Sequence, residues 1–217
     1  MRQLATALVV TLLMGASPGV AAAQTEPSPT MHADGQRFEV SGFGYAVTLP
    51  PDWLGIATTE PDVEGLLATV ADRLSGPEEI ERLTGLLSQM AAPIASGAQV
   101  VATPIHAGPS LFCGTEARYG PPGPLADWVE RVAANARAGR GGIAAEDGPQ
   151  SIELASGPAW VLDGTIGDPA SGSGVYTTMY MLGGEGLELG VSCYGYERSP
   201  EVWLAFVEGI EFLPVEG

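Results

Sequence analysis

The stretch VYTTMYMLGGEGLELGVSCY, residues 175–194, decides the fold of this chain. Its two halves, 175–182 and 187–194, carry the apolar, aromatic and β-branched residues that favour strands. The segment GGEG at 183–186 separates them with residues typical of a tight turn. Two strands joined by so short a turn must run antiparallel. The stretch therefore predicts a β-hairpin within a mainly antiparallel sheet.

Further strand signals lie on the amino-terminal side of this hairpin. Short apolar and aromatic runs, bounded by Gly and Pro, predict strands at residues 38–40, 45–49, 98–103, 111–119, 151–154 and 159–166. Within 187–194, Leu189, Val191 and Cys193 alternate with polar residues. This alternation predicts one face packed against a core and a second face partly open, because strands covered on both sides are apolar throughout.

Four segments repeat apolar residues at the spacing of an α-helix. The first follows a cap at Thr59, and the second runs from Pro77 to a stop before Pro93. The third covers 124–139, and the fourth is capped by Ser199 and carries its inward apolar residues as far as Ile210, before Pro214. Together with the strands, they predict an α+β fold in which a mainly antiparallel sheet of about six to seven strands is sandwiched by helices.

Residues 1–23 have the pattern of a secretory signal peptide. Arg2 precedes an uncharged apolar run, and the small residues Ala21 and Ala23 occupy positions that a signal peptidase reads, which places cleavage before Gln24. The apolar run is interrupted too early to span a bilayer. Because neither cysteine lies near the cleavage region, lipid attachment there is excluded. We expect a bacterial protein without a stable membrane anchor after processing, secreted or held in the periplasm or at the cell-envelope exterior.

The rest of the chain divides into a leader and one domain. Residues 24–36 are rich in Pro, Ser, Thr and Gly, with almost no large apolar side chain, and this composition predicts a disordered leader. Residues 37–217 are long enough to bury one substantial core. We expect them to form a single α+β globular domain.

The charge of the chain excludes one class of partner. It has 26 acidic residues against nine basic ones, all arginine, which gives a formal net charge of -17. Nucleic-acid affinity depends on Lys and Arg that displace counterions from phosphates, and anionic lipid surfaces attract the same residues. We therefore expect no nucleic-acid partner, and the simplest interpretation of the acidity is solubility outside the cell.

Two short signatures resemble a known fold group. One is PPDW at 50–53, which ends an aromatic-centred strand, and the other is LEL at 187–189 followed by Phe206, Ile210 and Phe212. With the order of elements, they resemble the Mog1/PsbP-like group, which includes exported bacterial lipoproteins and PsbP-like domains. The resemblance implies an antiparallel sheet between helices and a role in binding proteins or small ligands, with no catalytic motif to carry over. The chain lacks the lipidation cysteine of the lipoprotein members.

The two cysteines, Cys113 and Cys193, fall on the apolar side of their strands. In an oxidising compartment an even pair is readily joined, and neighbouring strands would bring the two within bridging distance. We expect a disulfide between them. Two separate buried thiols are the alternative.

Few residues offer catalytic or metal chemistry. His32 falls in the leader, so a hydrolase would depend on His106, which lies in a loop beside Pro104 and Gly108. No G-x-S-x-G elbow is present, and one histidine with two cysteines at no motif spacing does not predict a zinc site. We therefore assign no catalytic residue, metal or cofactor from the sequence.

Three aromatic residues are candidates for contact with a partner: Trp53, after the Pro-Pro turn, and Tyr194 and Tyr196, near the end of a strand. The leading hypothesis is an exported, non-enzymatic domain that binds another extracytoplasmic protein or an envelope component. The alternatives are an extracytoplasmic hydrolase, with a site formed only in three dimensions, and a carrier of small apolar ligands.

Overall fold

A computed structural model describes residues 29–31, 36–106, 111–120, 124–140, 142–145, 147–184 and 186–214. The predicted signal peptide, with Ala21, Ala23 and Gln24, lies outside these residues. Part of the predicted leader lies within them, and there Thr30–Met31 pairs with Phe38–Glu39 as a short antiparallel strand. The rest of the predicted leader, apart from Pro29 and Gln36, lies outside the described residues, so its disorder stays a prediction.

The described residues form twelve strands and four α-helices. The strands are β1 (Thr30–Met31), β2 (Arg37–Val40), β3 (Tyr45–Thr48), β4 (Trp53–Ile56), β5 (Val100–Pro104), β6 (Phe112–Tyr119), β7 (Ile143–Ala145), β8 (Gln150–Leu154), β9 (Gly157–Ile166), β10 (Val175–Gly184), β11 (Leu187–Gly195) and β12 (Ile210–Phe212). The helices are α1 (Val63–Ala68), α2 (Pro77–Ala95), α3 (Leu125–Arg137) and α4 (Pro200–Glu208).

The strands form two sheets, and the described pairs are antiparallel. The larger sheet has the order β4-β5-β6-β11-β10-β9-β7, with β8 also pairing with β9, and the smaller has the order β1-β2-β3-β12. The α+β class and the mainly antiparallel sheet are thus confirmed. The structure has more strands than the six to seven expected, because β4, β7 and β12 are too short to set up an alternation that the sequence reveals.

The hairpin of β10 and β11 lies at the middle of the larger sheet. Leu182 pairs with Leu189, and Tyr180 pairs with Val191. On its other side β11 pairs with β6, which brings Cys193 opposite Cys113. We call the face that carries these six side chains the front face and the opposite one the rear face.

The smaller sheet and α4 cover the front face. Their apolar side chains form one buried cluster with the front-face residues, and it includes Phe38, Tyr45, Trp53, Trp203 and Phe206. On the rear face, α2 packs against β4 and β5 through a second cluster that includes Leu54, Leu83, Leu87, Met90 and Val101. The third helix, α3, packs there against β9 and β10 through a third cluster that includes Trp128, Leu162 and Met179.

Three local expectations are corrected. The rear face of β11 is not partly open, since Ser192 and Tyr194 are buried, and this face carries the helices as well. Helix α1 is capped by Asp62, whose carboxylate accepts from the Gly65 N–H, and not by Thr59. Helix α2 continues through Pro93 to Ala95, because a proline late in a helix leaves most of the preceding hydrogen bonds intact.

Candidate binding site

The two cysteines form a disulfide at the centre of the larger sheet. Cys113 of β6 and Cys193 of β11 are directly opposite, with their Cα atoms 4.0 Å apart, and the structure joins their sulfur atoms. Both side chains are completely buried on the front face. The bridge agrees with the sequence prediction, and it ties the two central strands to each other.

Two of the three aromatic residues predicted to contact a partner are buried. Trp53 is 4% exposed, and its ring stacks on Phe206 with the centroids 5.4 Å apart. Tyr194 is 3% exposed, with its ring 5.1 Å from that of Phe112, and burial raises the pKa of its phenol. Neither side chain is available to a partner, so both are withdrawn as contact candidates. Tyr196 is 52% exposed and stays a prediction.

An open cavity of about 520 Å³ lies between the end of α4 and the turn that joins β8 to β9. Its lining consists of Thr48, Ala155, Ser156, Glu208, Gly209, Ile210, Glu211 and Phe212. We call it the β12 groove, because five of these residues form β12 or the junction that leads into it. The sequence did not reveal this site.

Gly209 creates the sharp passage from α4 into β12. A Cβ atom at this position would collide with the carbonyl oxygen of Thr48 in β3. Because glycine has none, the carbonyl of residue 209 comes close enough to accept a hydrogen bond of 2.8 Å from the Thr48 N–H. The helix therefore ends directly against β3, and the next three residues continue as its neighbouring strand.

The hydrogen bonds to β3 fix which backbone groups of β12 point away from β3. The Thr48 N–H donates to Gly209, and the Leu213 N–H donates to Gly44, at 2.8 Å in each case. In an antiparallel pair the groups that bond to the neighbour alternate along the strand. The N–H and C=O groups of Ile210 and Phe212 consequently point away from β3. Among the described residues, no other strand pairs with this side of β12.

The charge at the β12 groove is negative. Glu208 is exposed in the last turn of α4, and Glu211 is exposed on β12. Glu211 forms a short ion pair with Arg37 of β2, and this hydrogen bond raises the pKa of the arginine. In the described part of the chain Glu208 has no ion-pair partner. The groove therefore combines one neutralised and one unneutralised carboxylate.

Tyr119 is an exposed aromatic residue at the end of β6. It is 66% exposed, yet its hydroxyl donates a hydrogen bond of 2.7 Å to the Gly42 carbonyl, and its ring lies 5.4 Å from that of Phe43. Rigid tyrosines of this kind lose little entropy when a partner binds. The sequence places Tyr119 at the end of a strand but gives no sign of its exposure.

Glu188 is the centre of a buried ion network on the rear face. Its carboxylate accepts from Arg118 of β6 at 2.7 Å and from Arg131 of α3 at 2.6 Å, and its side chain is 8% exposed. Gly120 makes room for it, because a Cβ there would lie 2.6 Å from the carboxylate carbon. The network attaches α3 to the two central strands.

His106 contacts a carboxylate at the start of α2. Its Nδ1 lies 3.0 Å from Glu79 Oε1, and its side chain is 50% exposed. The N–H of Ser75 also donates to Glu79. This hydrogen bond is the main reason that the pKa of Glu79 lies below its usual range, and the contact with His106 lowers it further. His32 lies outside the described residues. The pair is a carboxylate-oriented imidazole at the surface.

No helix in the part of the chain that the structure describes is both long and apolar enough to cross a membrane. Within the same described ranges, no three His, Cys, Asp or Glu side chains gather in a group that could hold a metal ion.

Comparison with known proteins gives one kind of match. No family model matches the chain, and no curated protein matches it. A solved structure similar to it is the solution structure of cyanobacterial PsbP (CyanoP) from Synechocystis sp. PCC 6803. The two share 12% sequence identity with a TM-score of 0.45, over 90% of this chain and 98% of the other. The match is of the PsbP-like kind that the sequence signatures resemble, and it says nothing about the activity or partners of this chain.

Proposed function

We propose that this chain is an exported binding domain without catalytic activity, and that it binds another extracytoplasmic protein or an envelope component at the β12 groove. The observation that carries the proposal is that the groove is lined by a strand whose backbone groups at Ile210 and Phe212 point away from β3, on a side where no described strand pairs with it. Unpaired strand edges bind extended segments of other chains through main-chain hydrogen bonds. The groove therefore offers a partner both a concave surface and directional contacts.

Export is supported by two independent features. Residues 1–23 have the charge, apolar run and small-residue cleavage pattern of a signal peptide. The disulfide between Cys113 and Cys193 is a bond typical of proteins in oxidising compartments. We propose that the processed protein is secreted or held in the bacterial periplasm or at the cell-envelope exterior.

The contact between His106 and Glu79 favours a second candidate function, an extracytoplasmic hydrolase. A carboxylate that orients an imidazole is one component of a general-base system. Purified full chain and its His106→Ala variant, assayed with a panel of nitrophenyl esters and phosphates, separate the candidates. Turnover that disappears in the variant favours the hydrolase, and no turnover above the buffer rate counts against it.

A carrier of small apolar ligands fits the groove poorly. Its lining includes the carboxylate residues Glu208 and Glu211, both of them exposed. An apolar ligand there would desolvate these groups without giving them hydrogen bonds, which is unfavourable. The lining suits a polar or charged partner.

Site-specific photo-crosslinking in the exporting cell tests the proposed binding site. A photoreactive residue at Ala155, which lines the groove, is compared with one at Ala170, which is also exposed but lies outside the groove lining. We expect a discrete adduct with another protein or an envelope polymer from position 155 and none from position 170. Adducts from neither position, or equally from both, would contradict binding at the groove.

A further inference from the structure

We infer that the β12 groove takes an extended, positively charged segment of its partner, which adds to the open side of β12 as a further strand. The inference rests on the proposed function, because it names how the partner binds at the same groove and with what chemistry. Two observations carry it: the direction of the β12 backbone groups and the charge beside them.

The backbone supplies the binding geometry. Ile210 and Phe212 each direct one N–H and one C=O away from β3, as the bonds of the flanking residues require. Along a strand, every second residue directs its N–H and C=O groups toward the same antiparallel neighbour, so Ile210 and Phe212 present their groups to one added strand. An added strand can therefore form up to four main-chain hydrogen bonds. Across the cavity, the turn at Ala155 and Ser156 limits how far such a segment extends from β12.

The charge selects among possible occupants. Glu208 and Glu211 both line the groove, and only Glu211 has a described ion-pair partner, in Arg37. A second copy of this chain, paired edge to edge, would bring its own glutamates against these two, and its formal net charge is also -17. Like charges that face each other across a strand pair are destabilising, and charge on an edge is a common barrier to self-association. A segment with Lys or Arg is complementary.

The position of Glu208 is not explained by helix stability. It occupies the last residue of α4, where the negative end of the helix dipole disfavours a carboxylate. Replacement of this glutamate by a neutral or basic residue is therefore expected to leave the helix intact or to stabilise it slightly. This property makes Glu208 a suitable position for testing charge recognition separately from folding.

Two peptides of opposite charge test the inference. The probes are an end-blocked, fluorescently labelled eight-residue peptide that alternates lysine with valine, and its counterpart with glutamate at each lysine position. Binding to the full chain is measured by fluorescence anisotropy at low and moderate salt. We expect the lysine peptide to bind at least about tenfold more tightly than the glutamate peptide, with a difference that narrows as salt rises.

Matched variants at residue 212 isolate the backbone contact. Phe212→Pro deletes the N–H that faces the groove while keeping every bond to β3, and Phe212→Ala deletes the ring but keeps that N–H. We expect the proline variant to bind the lysine peptide about tenfold more weakly than the alanine variant, which corresponds to the loss of one hydrogen bond. A second variant, Glu208→Arg, gives a test that does not need the proline variant to fold. It should weaken binding of the lysine peptide and strengthen binding of the glutamate peptide.

The outcomes separate this inference from the proposed function. Equal binding of both peptides, equal binding by the two variants at residue 212, or a preference that Glu208→Arg leaves unchanged would overturn it. So would a dimer of the full chain in sedimentation that Phe212→Pro abolishes, because a second copy would then be the occupant. A crosslinked adduct at Ala155 together with any of these results would leave a binding protein that uses a different mode.

Discussion

The central strands β6 and β11 differ from the short strand β12 in how fully their edges are paired. The first two lie in the interior of the larger sheet, are joined by Cys113–Cys193, and use both edges for pairing. Strand β12 has one paired edge, three residues, and two exposed glutamates nearby. Among the described residues, the backbone is fully paired at the centre of the larger sheet and is left with one open edge at β12, where we propose that a partner binds.

Loss of the disulfide is the largest change expected in this comparison. The bridge spans a sequence separation of 80 residues, and closure of such a loop in the unfolded chain stabilises the fold by about 4 kcal/mol in the chain-entropy model. The Cys113→Ala, Cys193→Ala double variant should lose about this much free energy of unfolding, measured by urea denaturation. Peptide binding at the groove should change little in the folded variant. Two free thiols in the unreduced, unfolded wild-type chain would contradict the account.

The two paired glutamates, Glu188 and Glu211, give a matched test of the two regions. Glu188→Gln removes charge-assisted hydrogen bonds from a buried network and should lower the free energy of unfolding by about 2 kcal/mol. Glu211→Gln removes an exposed pair with Arg37 and should change it by less than about 1 kcal/mol. Chemical denaturation of both variants makes the comparison. Equal losses of free energy of unfolding would mean that the ion pair at β12 stabilises the fold as much as the one at the central strands, and would contradict the prediction.

Alkaline pH should lower the free energy of unfolding through Tyr194, which lies in the central strand β11. Burial raises the pKa of its phenol, so the unfolded chain ionises before the folded one does. Its contribution is complete below the ordinary tyrosine pKa of about 10, and it declines as pH rises above that value. Between pH 8 and pH 11, wild type should lose more free energy of unfolding than Tyr194→Phe, by on the order of 1 kcal/mol. If the free energies of unfolding of the two proteins fell equally with pH, the phenol would ionise as readily in the folded chain as in the unfolded one, which would contradict this prediction.

The sequence predicted the parts of the fold that have strong local signals. The run at 175–194 carries the alternation and the turn of the central hairpin, and its register brought Cys193 opposite Cys113. Strand β12 was missed because Ile210 continues the helical apolar spacing of α4, so the sequence predicted one longer helix. Gly209, the C-cap of α4, is the one local sign that the helix ends before Ile210, and the pairing of the next residues with β3 depends on a strand far away in the sequence.

The candidate site could not be predicted from residue types. Trp53 looked like an exposed aromatic after a proline turn, but Phe206, far away in the chain, covers its ring. Ile210 and Phe212 contribute to the candidate site through their backbone groups, and the direction of these groups depends on the hydrogen-bond register with β3. Chemistry carried by the main chain has no residue signature, so only the fold reveals it.

Amide hydrogen exchange in the unliganded full chain tests the open side of β12 most directly. Leu213 donates to β3, and the alternation assigns the Glu211 N–H to β3 as well, whereas the N–H groups of Ile210 and Phe212 face the groove. The account predicts exchange at Ile210 and Phe212 at least about tenfold faster than at Glu211 and Leu213. Equal protection at all four amides would mean that the outer side of β12 is already paired, and would contradict the account.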